Sequence, residues 1–295
     1  MSFKIFSDTS CNLPMSILSK GEVDVVPFSY YQKDNTEKIM QCFDIEQFEG
    51  KAYYDSIREG KMYNTSQVSP QVYFDSIAPY AEAGHDILHI SMSSGISGSY
   101  NSSLIAKAML EEAYPDRKFY MLDTRAASLG EGIVVLKAIE FKKLGMTIDK
   151  CYDALKKVCD CVYQIFTVDN LKHLQRTGRL SNAAAIIGTV LNIKPILKGN
   201  QQGQIINIEK ARGRKNAIKA LAEKYNSIVK EPEAQVVGIA HADNETEVSY
   251  LVELLNEKKP PKEILTVCYE PVTGAHVGPG TVALFFLGDE DARSK

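Results

Sequence analysis

The sequence predicts an α/β protein of two domains: an N-terminal parallel sheet with flanking helices, and a C-terminal α/β domain whose sheet is mixed and partly antiparallel. Three observations predict it. The first half alternates short β-branched runs with longer helical patterns, the signature of parallel strands joined by crossover helices. Gly and Ser mark the strand ends, where open α/β sheets place their ligands. The second half changes rhythm and closes on two strands separated by Gly and Pro, which suits antiparallel pairing. A length of 295 residues with 44% hydrophobic side chains supplies two cores at roughly 100–200 residues per domain.

In chain order, residues 3–7, 23–27 with 28–32, 87–90 and 119–122 read as strands. Residues 45–59, 71–83, 98–112, 128–144 and 148–161 carry helical spacing. The change of rhythm sets a domain boundary near residue 161, giving domains 1–161 and 162–295. Beyond it, 162–168 reads as a strand and 170–176 and 182–190 as short helices. Residues 195–197 and 205–208 form a hairpin across a Gly- and Asn-containing loop. A helix at 213–229, a strand at 235–240, a helix at 245–256 and strands at 263–269 and 282–287 complete the chain. There is no internal repeat and no low-complexity segment.

Composition excludes several classes. With 34 Lys and Arg against 37 Asp and Glu, the chain lacks the basic surplus of a nucleic-acid binder. The longest apolar runs, 183–188 and 282–288, fall far short of the ~18 residues of a membrane span. The start, Phe3-Lys4-Ile5-Phe6, reads as a strand and not as a signal-peptide core, so a cytoplasmic location is expected. Cysteines at 11, 42, 151, 159, 161 and 268 are then expected as reduced thiols. Cys159-x-Cys161 lacks the spacing and second ligand pair of a zinc site. No metal and no cofactor are expected, and nothing suggests a coiled coil, so the expected state is a monomer.

Three small-polar segments stand out. Ser91-Met92-Ser93-Ser94-Gly95-Ile96-Ser97-Gly98-Ser99-Tyr100 follows an apolar strand and opens a helix. The free N–H groups and dipole of such a helix start favour a carboxylate or phosphate; the same residues also serve as an N-cap with a Ser-rich turn. Asn64-Thr65-Ser66-Gln67-Val68-Ser69-Pro70 reads as a cap before the next helix. His276-Val277-Gly278-Pro279-Gly280 reads as a tight loop able to hold His276 against a ligand. Arg179, in Thr177-Gly178-Arg179-Leu180-Ser181, either orients an anion or caps a helix. Asp8 and Asp123, at strand ends, suit loop-holding hydrogen bonds.

Together these segments resemble the DegV family of fatty-acid-binding proteins, from Asp8 to Phe286. The resemblance rests on Asp8-Thr9-Ser10-Cys11-Asn12-Leu13-Pro14, Thr65-Ser66-Gln67-Val68-Ser69-Pro70, the segment from Ser93 to Tyr100, and Asp123-Thr124 with Ser128-Leu129-Gly130-Glu131-Gly132. It continues through Gly178-Arg179-Leu180-Ser181, Leu191-Asn192-Ile193-Lys194-Pro195-Ile196-Leu197 and His276-Val277-Gly278-Pro279-Gly280. Asn12, Val68, Ile96 and Ser99 depart mildly from the family pattern, in loops.

The resemblance implies a bacterial lipid-binding protein, not an enzyme, holding one long-chain fatty acid in a tunnel near the domain interface. It implies a separate fatty acid kinase subunit that phosphorylates the bound carboxylate to an acyl phosphate. By motif matching, Thr65 and Ser97 hold the carboxylate with His276 close by, and Ser93, Ser94 and Gly98 are further neighbours. Arg179 matches an arginine of the head-group end and kinase encounter. Two other readings compete. Gly95-Ile96-Ser97-Gly98-Ser99 is one residue away from a hydrolase nucleophile elbow, with His276 and Asp243 as triad partners. A small-molecule phosphotransfer subunit is the other, against which stands the lack of a glycine-rich nucleotide loop.

Overall fold

A computed structural model describes residues 3–181 and 192–295. The first half contains β1 (Phe3–Asp8), α1 (Met15–Lys20), β2 (Val23–Val26), β3 (Ser29–Gln32), β4 (Asn35–Gln41), α2 (Gly50–Arg58), β5 (Tyr63–Ser66), α3 (Pro70–Glu82), β6 (Asp86–Ser91), α4 (Ser99–Ala113), β7 (Phe119–Asp123), α5 (Leu129–Lys143) and α6 (Ile148–Cys161). The second contains β8 (Val162–Thr167), α7 (Lys172–Arg176), β9 (Ile193–Gly199), β10 (Ile205–Arg212), α8 (Arg214–Ile228), β11 (Val236–His241), α9 (Glu245–Lys258), β12 (Glu263–Cys268), α10 (Pro271–Val277) and β13 (Val282–Leu287).

Strands β2-β1-β6-β7 form an all-parallel sheet. All of β6 is buried, as expected for a parallel strand covered on both faces. Strands β10-β9-β8-β13-β11-β12 form the second sheet, antiparallel except for the β11–β12 pair. The two-domain α/β arrangement is the expected one. Helix α5 lies between the sheets, and nine of its residues are buried, from Leu129 through Ile139. Such all-round burial marks a core helix. One apolar core therefore runs from Ile5 and Leu88 through Ile133 and Val134 to Phe166 and Phe285. Helices α3 and α4 cover the far face of the parallel sheet with Tyr73, Ile77 and Leu110. Helices α8 and α9 cover the far face of the mixed sheet with Leu221, Tyr225 and Leu251.

Several elements differ from the sequence reading. The helix expected at 45–59 is a 3₁₀ turn at Ile45–Gln47 followed by α2. Asp44 accepts from the Glu46 N–H, and Phe48 then turns extended and breaks the run. Strands β3, β4 and β5 form a separate antiparallel sheet in the order β4-β3-β5. The segment 64–66, read as a cap, is therefore a strand edge; the cap of α3 is Ser69, which accepts from the Val72 N–H. His276 stands in the last turn of α10, not in a loop; Gly278 and Gly280, at φ 79° and 78°, form the loop after it. The expected hairpin is β9–β10, longer than anticipated and bulged between Asn207 and Glu209. The helix expected at 182–190, and Leu191, lie outside the described residues.

Candidate ligand-binding site

A cavity of about 280 Å³ lies between the carboxyl ends of the parallel strands and the mixed sheet. Phe28, Met92, Phe166, Leu174, Val272 and Phe285 make its walls apolar. Its polar side chains include Thr65, Ser97, Arg179 and His276. Thr65 comes from β5, Ser97 and Gly98 from the turn before α4, and His276 from α10, so three elements far apart in sequence meet there.

Helix α10 is fixed by the first half of the chain. Buried Glu270 caps it, accepting from the N–H groups of Val272 and Thr273 at 2.6 Å each. Burial raises the Glu270 carboxyl above its ordinary value, and these hydrogen bonds oppose the rise. Asn12 holds the entrance to the helix from both sides: its Oδ1 accepts from the Glu270 N–H at 2.8 Å, and its Nδ2 donates to the Cys268 carbonyl at 2.9 Å. Tyr53 and Tyr54 donate to the Pro271 and Tyr269 carbonyls at 2.8 and 2.9 Å. Gly274 is small because a Cβ there would come within 2.2 Å of Tyr54 Oη.

His276 Nε2 lies 2.9 Å from Thr65 Oγ1, and Nδ1 has no hydrogen-bond partner. Burial, then the nearby charges of Arg179 and Arg176, push the imidazole down to about 3. It is therefore neutral at ordinary pH. With its proton on Nε2 it donates to Thr65, leaving the threonine O–H free for a ligand. Ser97 Oγ accepts from the Ser99 N–H at 3.2 Å and donates to Ser99 Oγ at 3.0 Å, at the start of α4. At Gly98 a Cβ would fall 1.9 Å from Gln67 Oε1, so the Gln67 side chain would have to move aside.

Arg179 donates from Nε to the Ile96 carbonyl at 3.3 Å and also reaches the Thr177 carbonyl. It borders a second depression of about 350 Å³, shared with Thr65 and His276 and lined also by Lys33 and Arg176. Among the described residues these three cations form no salt bridge, whereas Arg58, Arg125 and Arg214 each pair with a carboxylate.

The structure does not bring every expected residue to the cavity. Ser93 is buried beside it, donating to the Gly203 carbonyl at 2.8 Å and accepting from the Gly95 N–H at 3.1 Å. Ser94 faces outward and donates to Asp123 Oδ2 at 2.5 Å. Neither lines the wall, because loop contacts take up both hydroxyls. The hydrolase triad is not assembled: Asp243 pairs with Arg58, and His276 Nδ1 has no acid beside it. Gln67, Gln164, Ser128 and Thr273 also line the cavity; Gln67 and Ser128 stand inside motifs quoted above without being singled out there, and no local motif marks Gln164 or Thr273. Among the described residues no group of three or more His, Cys, Asp or Glu could hold a metal, and no helix is long and apolar enough to cross a membrane.

The fold and site define a two-domain α/β protein with a largely apolar cavity at which Thr65, Ser97 and His276 gather. The chain belongs to the DegV family: the family model described as "Uncharacterised protein, DegV family" matches residues 2–289. A DegV domain-containing protein of Clostridium perfringens is 41% identical over 287 residues, covering 97% of this chain and 98% of that one. Among solved structures, a fatty-acid-binding DegV family protein from Thermus thermophilus superposes with a TM-score of 0.87 at 27% identity, over 98% of this chain and 100% of that one. A DegV family protein from Ruminococcus gnavus, in a structure with vaccenic acid, superposes at 0.86 with 26% identity, over 97% and 99%.

Proposed function

We propose that this chain binds one long-chain fatty acid in the cavity and presents its carboxylate to a separate kinase subunit, which phosphorylates it to an acyl phosphate. The observation that carries the reading is an apolar cavity whose polar end gathers Thr65, Ser97 and His276. The fatty acids bound by the Thermus and Ruminococcus relatives support it.

Burying about 15 methylenes at ~0.8 kcal/mol each contributes roughly 12 kcal/mol gross. Each hydrogen bond to a charged head group adds about 1.5–3 kcal/mol. The tail supplies most of the affinity, and Thr65 and Ser97 decide which end lies at the mouth. An unpaired carboxylate in the apolar part would cost several kcal/mol. The cations Lys33, Arg176 and Arg179 beside the mouth, which form no salt bridge among the described residues, support an encounter with an anionic partner surface or phosphoryl group there. Ser93 and Ser94 act in this reading by shaping the loop that carries Ser97. A boundary at residue 161, a monomeric state and a cytoplasmic location belong to the same proposal.

Incubation of the loaded protein with ATP tests the division of labour. The chain alone should give no acyl phosphate, and addition of the kinase subunit should give it. Product formed by the chain alone would contradict the proposal.

A further inference from the structure

The wall of the cavity is not apolar throughout. Gln164, in β8, stands on the same face of the strand as Phe166 and lines the cavity with it. Two glycines leave room for its amide: a Cβ at Gly199 would overlap Gln164 Nε2, and one at Gly130 would lie 3.1 Å from Oε1. Oε1 accepts from the Ala127 N–H at 3.2 Å, and Nε2 donates to the Arg125 carbonyl at 3.3 Å. A primary amide has two N–H groups and two acceptor positions. Among the described residues, one of each is left over on Gln164.

Ser128, next in the chain after Ala127, is a second polar residue in this part of the wall. It is 1% exposed, and its Oγ has no hydrogen-bond partner among the described residues. It is the N-cap residue of α5, yet its hydroxyl caps nothing. Its φ of 53° lies in the region that favours glycine. A buried hydroxyl without a partner and a left-handed backbone each cost stability. Such costs collect at sites that hold ligands. Thr65, Ser97, Arg179 and His276 stand on other elements, so the head-group reading uses neither Gln164 nor Ser128. A plain hydrocarbon tail has no use for them either.

We propose that Gln164 and Ser128 form a second polar subsite, and that the acid taken by this chain carries a hydroxyl within its acyl chain. That hydroxyl accepts from the spare Gln164 N–H and shares a hydrogen bond with Ser128. This inference rests on the fatty-acid reading of the site.

Titration of delipidated protein with stearate and a positional set of monohydroxystearates tests it. A hydroxyl set against bare apolar wall should cost about tenfold in affinity relative to stearate. One mid-chain isomer, whose hydroxyl reaches Gln164, should bind as tightly as stearate or more tightly. Gln164→Met and Ser128→Gly should each weaken that isomer about fivefold, the scale of one hydrogen bond, and leave stearate unchanged. Glycine suits the backbone at Ser128, so Ser128→Gly decides the matter if Gln164→Met does not fold. A merely structural role would weaken both ligands alike. The subsite is overturned if every monohydroxystearate binds wild type more weakly than stearate does. It is overturned equally if the favoured isomer loses no more than stearate in the folded variants. Wild-type protein that holds neither stearate nor any monohydroxystearate overturns the fatty-acid reading, and the subsite with it.

Discussion

Thr65 Oγ1 and His276 Nε2 meet at 2.9 Å across 211 residues of chain. The contact joins the edge strand of the small antiparallel sheet to a seven-residue helix from the second half, and it sits at the polar end of the cavity. The proposed function makes this end the seat of the carboxylate, with Ser97 on a third element.

Replacing Thr65 and Ser97 together by Ala removes two hydroxyls that donate to a charged group. Palmitate affinity should fall by about 3 kcal/mol, roughly 100-fold, with the melting temperature little changed. Equilibrium titration of delipidated protein checks this; wild-type affinity would remove both residues from the site.

Acid should act through His276. Its imidazole is lowered from 6.5 to about 3 in the folded protein, so between those values the unfolded chain takes up a proton that the folded chain refuses. Stability therefore falls as pH drops through that window. Between pH 7 and pH 4.5, wild type should lose about 2.5 kcal/mol more than His276→Gln, at ~1.4 kcal/mol per pH unit. Chemical denaturation at the two pH values measures the difference, and equal losses would show that His276 is not held neutral.

The length of the cavity should set chain preference. Val272 is buried on its wall, and Val272→Phe fills space a tail would occupy. Preference in a mixed fatty-acid competition should move to acyl chains shorter by several carbons. An unchanged preference would place the tail elsewhere.

Arg179→Ala should leave palmitate retention near wild type and lower the rate at which the proposed kinase partner phosphorylates it. The side chain lies at the mouth, shared between the cavity and the cationic depression. Loss of lipid with normal turnover of what remains would assign Arg179 to binding alone.

The parallel strands and their helices were legible because burial on both faces leaves near-continuous apolar runs such as Ile87-Leu88-His89-Ile90. Strand β4 was not, because five of its first six residues are exposed, Asn35 through Ile39, and alternation never develops. Thr65 and Ser66 looked like a cap because a short edge strand and an N-cap draw on the same small polar residues. Helix α10 escaped notice because it is only seven residues long and carries Gly274, a poor helix former; Glu270, Asn12, Tyr53 and Tyr54 stabilise it. The chemistry of Ser97 was visible in its motif, whereas its meeting with Thr65 and His276 at one cavity depends on packing between elements far apart in the chain.

The most direct measurement of the central claim is mass spectrometry of lipids released by denaturing the purified protein. The account predicts one long-chain fatty acid per chain, and a clear loss of it in the Thr65→Ala, Ser97→Ala double variant. No fatty acid in the wild-type protein, even after incubation with a panel of chain lengths, would contradict it.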